Sequence, residues 1–375
     1  MLDGTGFKES PGALLMEGDT IVQFGTPQSI GTIEDVQITQ IHGTVMPSFV
    51  NAHTHLDLTV DGARTRAMEF MPWVKEVVAP IRMEQSKEDV QKAVERGVQL
   101  SKEGGCLTVG DIAGTPEAMH AFQESDCLGV SFLELIGTGE RNAEVIERIN
   151  DLPEGCGVQP HAPYSCSREV YEAAFDSNRP IATHLAETLD EVECLKERSG
   201  AIVEFAKSIG VWNEDIGHGR VHPVDAICDI ASHPFLAAHC QYLDEHHLDL
   251  LRKVGASVVY CPRASAFFGH TDHPWQTLLA HGVNVALGTD SILCLDTLNR
   301  LTVLDDMRFL FKQGGDATVL LKMATVNGAL ALGLEESHYH FGRGKIAGLL
   351  QFRDPENNSL EAVLKSDEMP QHITL

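Results

Sequence analysis

The chain has 375 residues, 43% of them hydrophobic, enough for one large domain or a large domain with a small one. Twenty-eight basic against 54 acidic residues give a formal charge of −26, which repels phosphate backbones and anionic lipid and argues against nucleic acid and membrane as partners. No apolar run approaches the roughly 20 residues that span a bilayer, no signal-peptide pattern opens the chain, and nine scattered cysteines form no Cys-x-x-Cys pair, so a cytoplasmic protein with reduced thiols is expected.

Residues 1–44 read as short strands around turns. From there the pattern changes to short apolar runs alternating with amphipathic segments. Strands are expected at Val45–Ala52, Leu107–Asp111, Leu128–Leu135, Gly157–His161, Ile181–His184, Phe235–His239, Ser257–Cys261 and Val283–Gly288. Several are nearly continuous in apolar character, as strands buried on both faces tend to be. Helices are expected at Glu88–Lys102, which stops at Gly104-Gly105, and at Ser167–Asp176, Leu189–Ile209, Glu245–Val254, Thr297–Lys312 and Ala317–Leu332.

Eight strands alternating with helices point to an α/β fold of the (β/α)8 TIM-barrel type. A doubly wound open sheet is the alternative, but no glycine-rich phosphate loop follows the first strand. The tail from about Gly344 holds another short apolar run, Ile346–Phe352. The expected organisation is therefore a barrel over 45–343, inserted into a small β-sandwich domain built from 1–44 and 344–375.

In such barrels chemistry gathers at the C-terminal ends of the strands. Here strand one ends in His53-Thr-His55, and residues two apart on a strand point the same way. Strand four ends in His161, within "QPHAPYS". Strand five ends in His184, with Glu187 three residues on in "THLAE". Strand six ends in His239, within "AAHCQ", and strand eight in Asp290, followed by Ser291, within "LGTDS". Buried imidazoles and carboxylates are costly unless paired or bound to metal, so five strands finishing this way point to a shared metal site.

The motifs HxH, HAPYS, HLAE, AHC and GTDS, in this order and spacing, resemble those of the amidohydrolase superfamily. The similarity is to its branch of cytosine-deaminase-like and chlorohydrolase-like enzymes, which includes methylthioadenosine/S-adenosylhomocysteine and aminodeoxyfutalosine deaminases. "VVYCPRASAFFGH" and "MATVNGALALGL" fit the same branch. The resemblance implies one divalent ion held by His53, His55, His184 and Asp290, zinc first and iron(II) second, since imidazole and carboxylate ligands suit both. Two-metal relatives carry Lys or Glu at the end of strand four; His161 stands there, so one ion is expected.

The resemblance further implies a hydroxide generated from water on the ion, with Asp290 as ligand and base. His239 would hydrogen-bond the developing tetrahedral centre, and Glu187 would move a proton to a ring nitrogen and then to ammonia. His161 and Ser291 are expected to face the substrate. Trp73 in "FMPWVKEV" would wall a flat heterocycle or belong to the core.

One departure stands out. Methylthioadenosine-type enzymes carry Pro-x-Glu after this tryptophan, its glutamate on the ribose hydroxyls; here the stretch is Pro80-Ile81-Arg82. Arg82 has donors only and could grip an anionic group.

The expected function is hydrolytic deamination of an amino-substituted heterocycle, an aminopurine nucleoside derivative such as aminodeoxyfutalosine. The rivals are a chlorotriazine or alkylaminotriazine hydrolase and a cyclic-amide or imidazolone hydrolase. His-x-Glu with Pro-Cys-x-x-Cys, the mark of deaminases that edit nucleic acids, is absent. Other histidine pairs (His218 and His222, His246 and His247) read as ordinary, and His270 and His273 as residues near a pocket mouth. A homodimer is an assembly the resemblance allows.

Overall fold

The computed structural model describes residues 1–60, 66–214, 216–353 and 359–374. In chain order, β1 (Ala13–Glu17) and β2 (Thr20–Gly25) form an antiparallel hairpin, and β3 (Thr44–Pro47) follows. The strands β4 (Phe49–Thr54), β5 (Cys106–Ala113), β6 (Leu128–Leu135) and β7 (Gly157–Pro160) make one parallel sheet. A second comprises β8 (Ala182–Leu185), β9 (Leu236–His239), β10 (Ser257–Tyr260) and β11 (Asn284–Leu287). Last come β12 (Gly344–Lys345), which pairs with β2, and β13 (Leu349–Phe352), which lies between β3 and β14 (Gln371–Ile373).

This is an α/β fold whose two parallel sheets meet at both edges. At one seam Val158 bridges Ile181, and the His184 N–H donates to the His161 carbonyl at 2.9 Å. At the other, the N–H groups of Thr289 and Asp290 donate to the His53 carbonyl at 3.1 and 3.0 Å. A side-chain clasp reinforces this seam: Asn51 Nδ2 donates to Thr289 Oγ1 at 2.8 Å, and the Thr289 N–H donates to Asn51 Oδ1 at 3.1 Å. The strands β4, β9, β10 and β11 of these parallel sheets are almost wholly buried, which accounts for their continuous apolar character. The antiparallel strands have their own apolar cluster, with Ile21, Val45, Phe341, Ile346 and Leu349 at its centre. Among the described residues no helix is long and apolar enough to cross a membrane. All nine cysteines are free, and eight of them are buried.

Four expectations change on contact with the structure. The helix expected at Thr297–Lys312 starts only at Val303, where the Thr302 hydroxyl accepts from the Leu304 N–H at 3.1 Å. The first strand is two strands: Thr44–Pro47 runs antiparallel to β13, and the chain turns at Ser48 so that Phe49–Thr54 can run parallel to β5. Leu189–Ile209 is two helices, Leu189–Glu197 and Ala201–Ser208. The break comes where Arg198 and Gly200 take left-handed backbone (φ 57° and 93°), a conformation glycine adopts freely. Ala317–Leu332 is likewise split into Ala317–Met323 and Val326–Ala331, where the Thr325 hydroxyl turns back to donate to the Leu321 carbonyl.

Candidate active site

The five strand ends converge. His53, His55 and His184 place a ring nitrogen each within 4.8 Å of one another, and all three are buried. Glu187, His239 and Asp290 form a second group on the same criterion. Asp290 joins the two, with Oδ1 at 3.9 Å from His53 Nε2 and 3.6 Å from His55 Nε2, and His239 Nε2 lies 3.7 Å from Glu187 Oε1. The His53 ring stands at 89° to both His55 and His184, so their in-plane lone pairs can meet.

The backbone at these ends is unusual. Ala186, His239, Cys240 and Asp290 all take positive φ, between 50° and 74°, which costs a residue with a Cβ about 1–3 kcal/mol. The surroundings hold them there. Glu191, fully buried, accepts from the N–H groups of Ala186 (3.0 Å) and Glu187 (2.9 Å), and Thr54 Oγ1 donates to the Asp290 carbonyl at 2.9 Å.

Burial holds the imidazoles of His53, His55 and His239 well below the usual histidine range, with neighbouring histidines adding to the effect, and pushes His184 down to about 3. These rings are neutral and their lone pairs available. Burial raises Asp290 to about 6; it raises Glu187 well above the ordinary carboxyl range, with the Asp290 charge adding to it. Neither His53 nitrogen has a hydrogen-bond partner among the described residues, and His55 Nδ1 has none either. His184 is oriented from the far side of its ring, where Nδ1 donates to the His161 carbonyl at 2.9 Å, and Nε2 has one long contact, 3.5 Å from Gln159 Nε2. Orphaned buried nitrogens are expensive. A divalent ion ligated by neutral imidazoles and a carboxylate relieves that cost, so these residues fit one.

A cavity of about 790 Å³ opens over the cluster, lined by His55, His184, Glu187, His239 and Asp290 at one end. Trp73, Arg82 and His161 line its walls. Trp73 is carried by a helical run, Phe70–Glu84, whose middle (Val74–Val78) widens to a π-helix, a feature often found at functional sites. Its ring meets Phe268 edge-on at 5.1 Å. His161 Nδ1 bonds Ser165 Oγ at 2.7 Å, and its ring abuts that of His184 at 4.8 Å. Arg82 pairs with Asp57 and lies 3.8 Å from Glu134, so its charge is already compensated before any substrate arrives.

Some expected neighbours lie elsewhere. Ser291 is fully buried and outside the cavity lining; its hydroxyl accepts from the Leu293 N–H at 3.2 Å and caps a short turn. His270 and His273 are also outside the lining. His270 bonds Tyr242, and His273 stacks on Tyr260 and donates to the His239 carbonyl at 2.6 Å, bracing that strand end from behind.

Four residues escaped the sequence reading. Glu191 has a local signal, the Thr188-x-x-Glu191 capping pattern. Glu134 is a lone charge within the apolar run "VSFLEL". Asp57 and Asp111, both fully buried, anchor Arg82 and the Leu56 N–H, with contacts too distant in sequence to read.

A further histidine cluster lies away from the cavity. His222 and His247 stack at 3.9 Å beside Asp225, which accepts from His246 Nε2 at 2.9 Å. His222 Nδ1 accepts from the Val224 N–H (3.3 Å) and His247 Nδ1 from the Asp244 N–H (3.1 Å), so both rings serve as helix caps.

Parallel strands whose C-terminal ends bear a buried histidine–carboxylate cluster define a metal-dependent hydrolase architecture. The chain matches the amidohydrolase family over residues 44–368 and belongs to that family. It is 27% identical over 359 residues to the 5-methylthioadenosine/S-adenosylhomocysteine deaminase of Pyrococcus abyssi, covering 89% of this chain and 80% of that protein. In structure it is similar to Helicobacter pylori aminofutalosine deaminase in complex with methylthio-coformycin, with TM-score 0.78 and 22% identity over 94% of this chain and 90% of that one. It is also similar to the zinc-complexed atrazine chlorohydrolase of Arthrobacter aurescens, with TM-score 0.70 and 18% identity over 91% and 82%. At these identities the two structural likenesses speak to the fold alone.

Proposed function

We propose that this enzyme is a metal-dependent hydrolytic deaminase of an amino-substituted heterocycle, namely an aminopurine nucleoside derivative such as aminodeoxyfutalosine. Ammonia leaves and an oxygen from water takes its place. The observation that carries the reading is the pairing of orphaned imidazoles at His53 and His55 with the Glu187–His239–Asp290 group, at one end of a cavity large enough for a nucleoside.

His53, His55, His184 and Asp290 would hold the ion, for which zinc is proposed and iron(II) is the alternative. When bound, the ion lowers the pKa of water and supplies a nucleophile at neutral pH. Asp290 would also take the proton released as attack begins. Glu187, 3.7 Å from His239, delivers a proton to a ring nitrogen and then to the departing amine. His239 donates to the oxygen that develops charge at the tetrahedral carbon. Trp73 and His161 border the heterocycle from the walls.

The same reading treats the two parallel sheets as one (β/α)8 barrel over about 45–343. It takes the antiparallel strands of residues 1–44 and 344–375 as a small β-sandwich domain, which the pairing of β2 with β12 supports. It places the enzyme in the cytoplasm and allows a homodimer.

The test is ammonia release from a panel of aminopurine nucleosides, aminodeoxyfutalosine and aminotriazines, alongside metal analysis. Turnover of a nucleoside that vanishes in Asp290→Ala is the expected result. Silence across the panel with about one ion per chain would overturn the deaminase reading and turn the search to chlorotriazines and cyclic amides.

A further inference from the structure

The cavity wall holds a carboxylate that the proposed chemistry leaves idle. Glu134, next to last in β6, lines the cavity; it is mostly shielded from solvent, and it accepts no hydrogen bond from a described residue. Its contacts are two long ion-pair distances, 3.8 Å from Oε2 to Arg82 and 3.9 Å from Oε1 to His161 Nε2. One of its oxygens lies within 4.8 Å of ring nitrogens of both His161 and His184, so it stands beside the reacting end of the cavity.

A carboxylate that faces the cavity offers its acceptor sites to a ligand, and no structural pair fills them here. Arg82 spends its hydrogen bond on Asp57, whose Oδ2 also accepts from the Gly114 N–H at 3.0 Å. Glu134 is left with the charge of Arg82 nearby but without its donors.

That arrangement selects a ligand. A carboxylate offers acceptors only, and its two oxygens match two donors on adjacent atoms. A cationic ligand would meet the Arg82 guanidinium beside it, whereas neutral hydroxyls would not. The wall thus favours a neutral donor pair.

We propose that Glu134 is a specificity-determining residue whose two oxygens accept from adjacent hydroxyl groups on a sugar ring of the substrate, while the heterocycle occupies the Glu187–His239–Asp290 end. The inference rests on the proposed reading of the cavity as a nucleoside site. On this reading Arg82 is the counter-charge of Glu134 instead of an anion grip.

The test uses the metal-loaded full chain and calorimetric binding of inosine and 2′,3′-dideoxyinosine, neither of which has an amino group to lose. The wild type is expected to bind inosine about ten- to hundredfold more tightly, the range for hydrogen bonds to a charged acceptor. Glu134→Ala should bring that ratio to within about threefold of unity, mainly through weaker inosine binding. Glu134→Gln preserves the shape and keeps one acceptor oxygen, and should lower the ratio by about threefold or more. A wild-type ratio near one, no binding of either nucleoside, or a ratio unchanged in both variants overturns the proposal. A Glu134-dependent ratio with no ammonia released from any aminopurine nucleoside leaves the subsite standing and sinks the deaminase reading. Ammonia release without diol preference does the reverse.

Discussion

Two regions of buried or half-buried histidine and carboxylate stand apart among the described residues, and they use their lone pairs in opposite ways. At the cavity, His53 has no hydrogen-bond partner on either nitrogen among the described residues. Near the starts of the helices Pro223–Ile230 and Glu245–Val254, His222 and His247 lie stacked with planes 23° apart, and each caps a helix through Nδ1. What separates them is whether the nitrogens are already spent: His222 and His247 each give Nδ1 to a helix start, whereas the His53 nitrogens and His55 Nδ1 are unfilled among the described residues. Residue type is therefore a weak sign of a metal site; unfilled, convergent nitrogens are a strong one.

The contrast can be broken most directly by removing a ligand at each cluster. Asp290→Ala or His184→Ala should lower turnover on the order of 10⁴-fold and reduce the ion content measured by elemental analysis, while His247→Ala leaves both unchanged. Loss of the ion in His247→Ala would show that the distinction drawn from lone pairs is mistaken. Next in size, Glu187→Gln should cost about 10²–10⁴-fold in kcat with the ion retained, because it removes a proton carrier and no ligand. A chelated sample should lose about 3–4 kcal/mol of stability if the ion is present at 100 to 1,000 times its dissociation constant, seen as a fall in Tm of several degrees that added zinc restores. The smallest effect belongs to His222→Ala, which should cost about 1 kcal/mol by denaturant unfolding for a lost helix cap, with turnover untouched.

Much of the site was readable because each motif is local. A histidine or aspartate closing an apolar run marks a strand end within a few residues, and the alternation of eight such runs places those ends together. What escaped was set by contacts across long stretches of chain. Arg82 looked like a free cation until Asp57 and Glu134 were found beside it. Ser291 belongs to a motif that suggests exposure to substrate, yet its hydroxyl is spent on the following turn. Ser48 gave no sign that a single apolar run serves two sheets, and Gly200 was passed over because the apolar period continues on both sides of it.

The seam between β4 and β11 has a bearing on how the enzyme matures. The Thr54–Asp290 hydrogen bond joins residues 236 positions apart, and the histidine–carboxylate cluster exists only once that join is made. A ribosome must deliver most of the chain before the last ligand arrives, and pairing so remote in sequence closes late and slowly. An ion held by the proposed ligands would therefore be acquired by a nearly finished molecule, and its identity would be decided by whatever ions the cell offers at the end of folding.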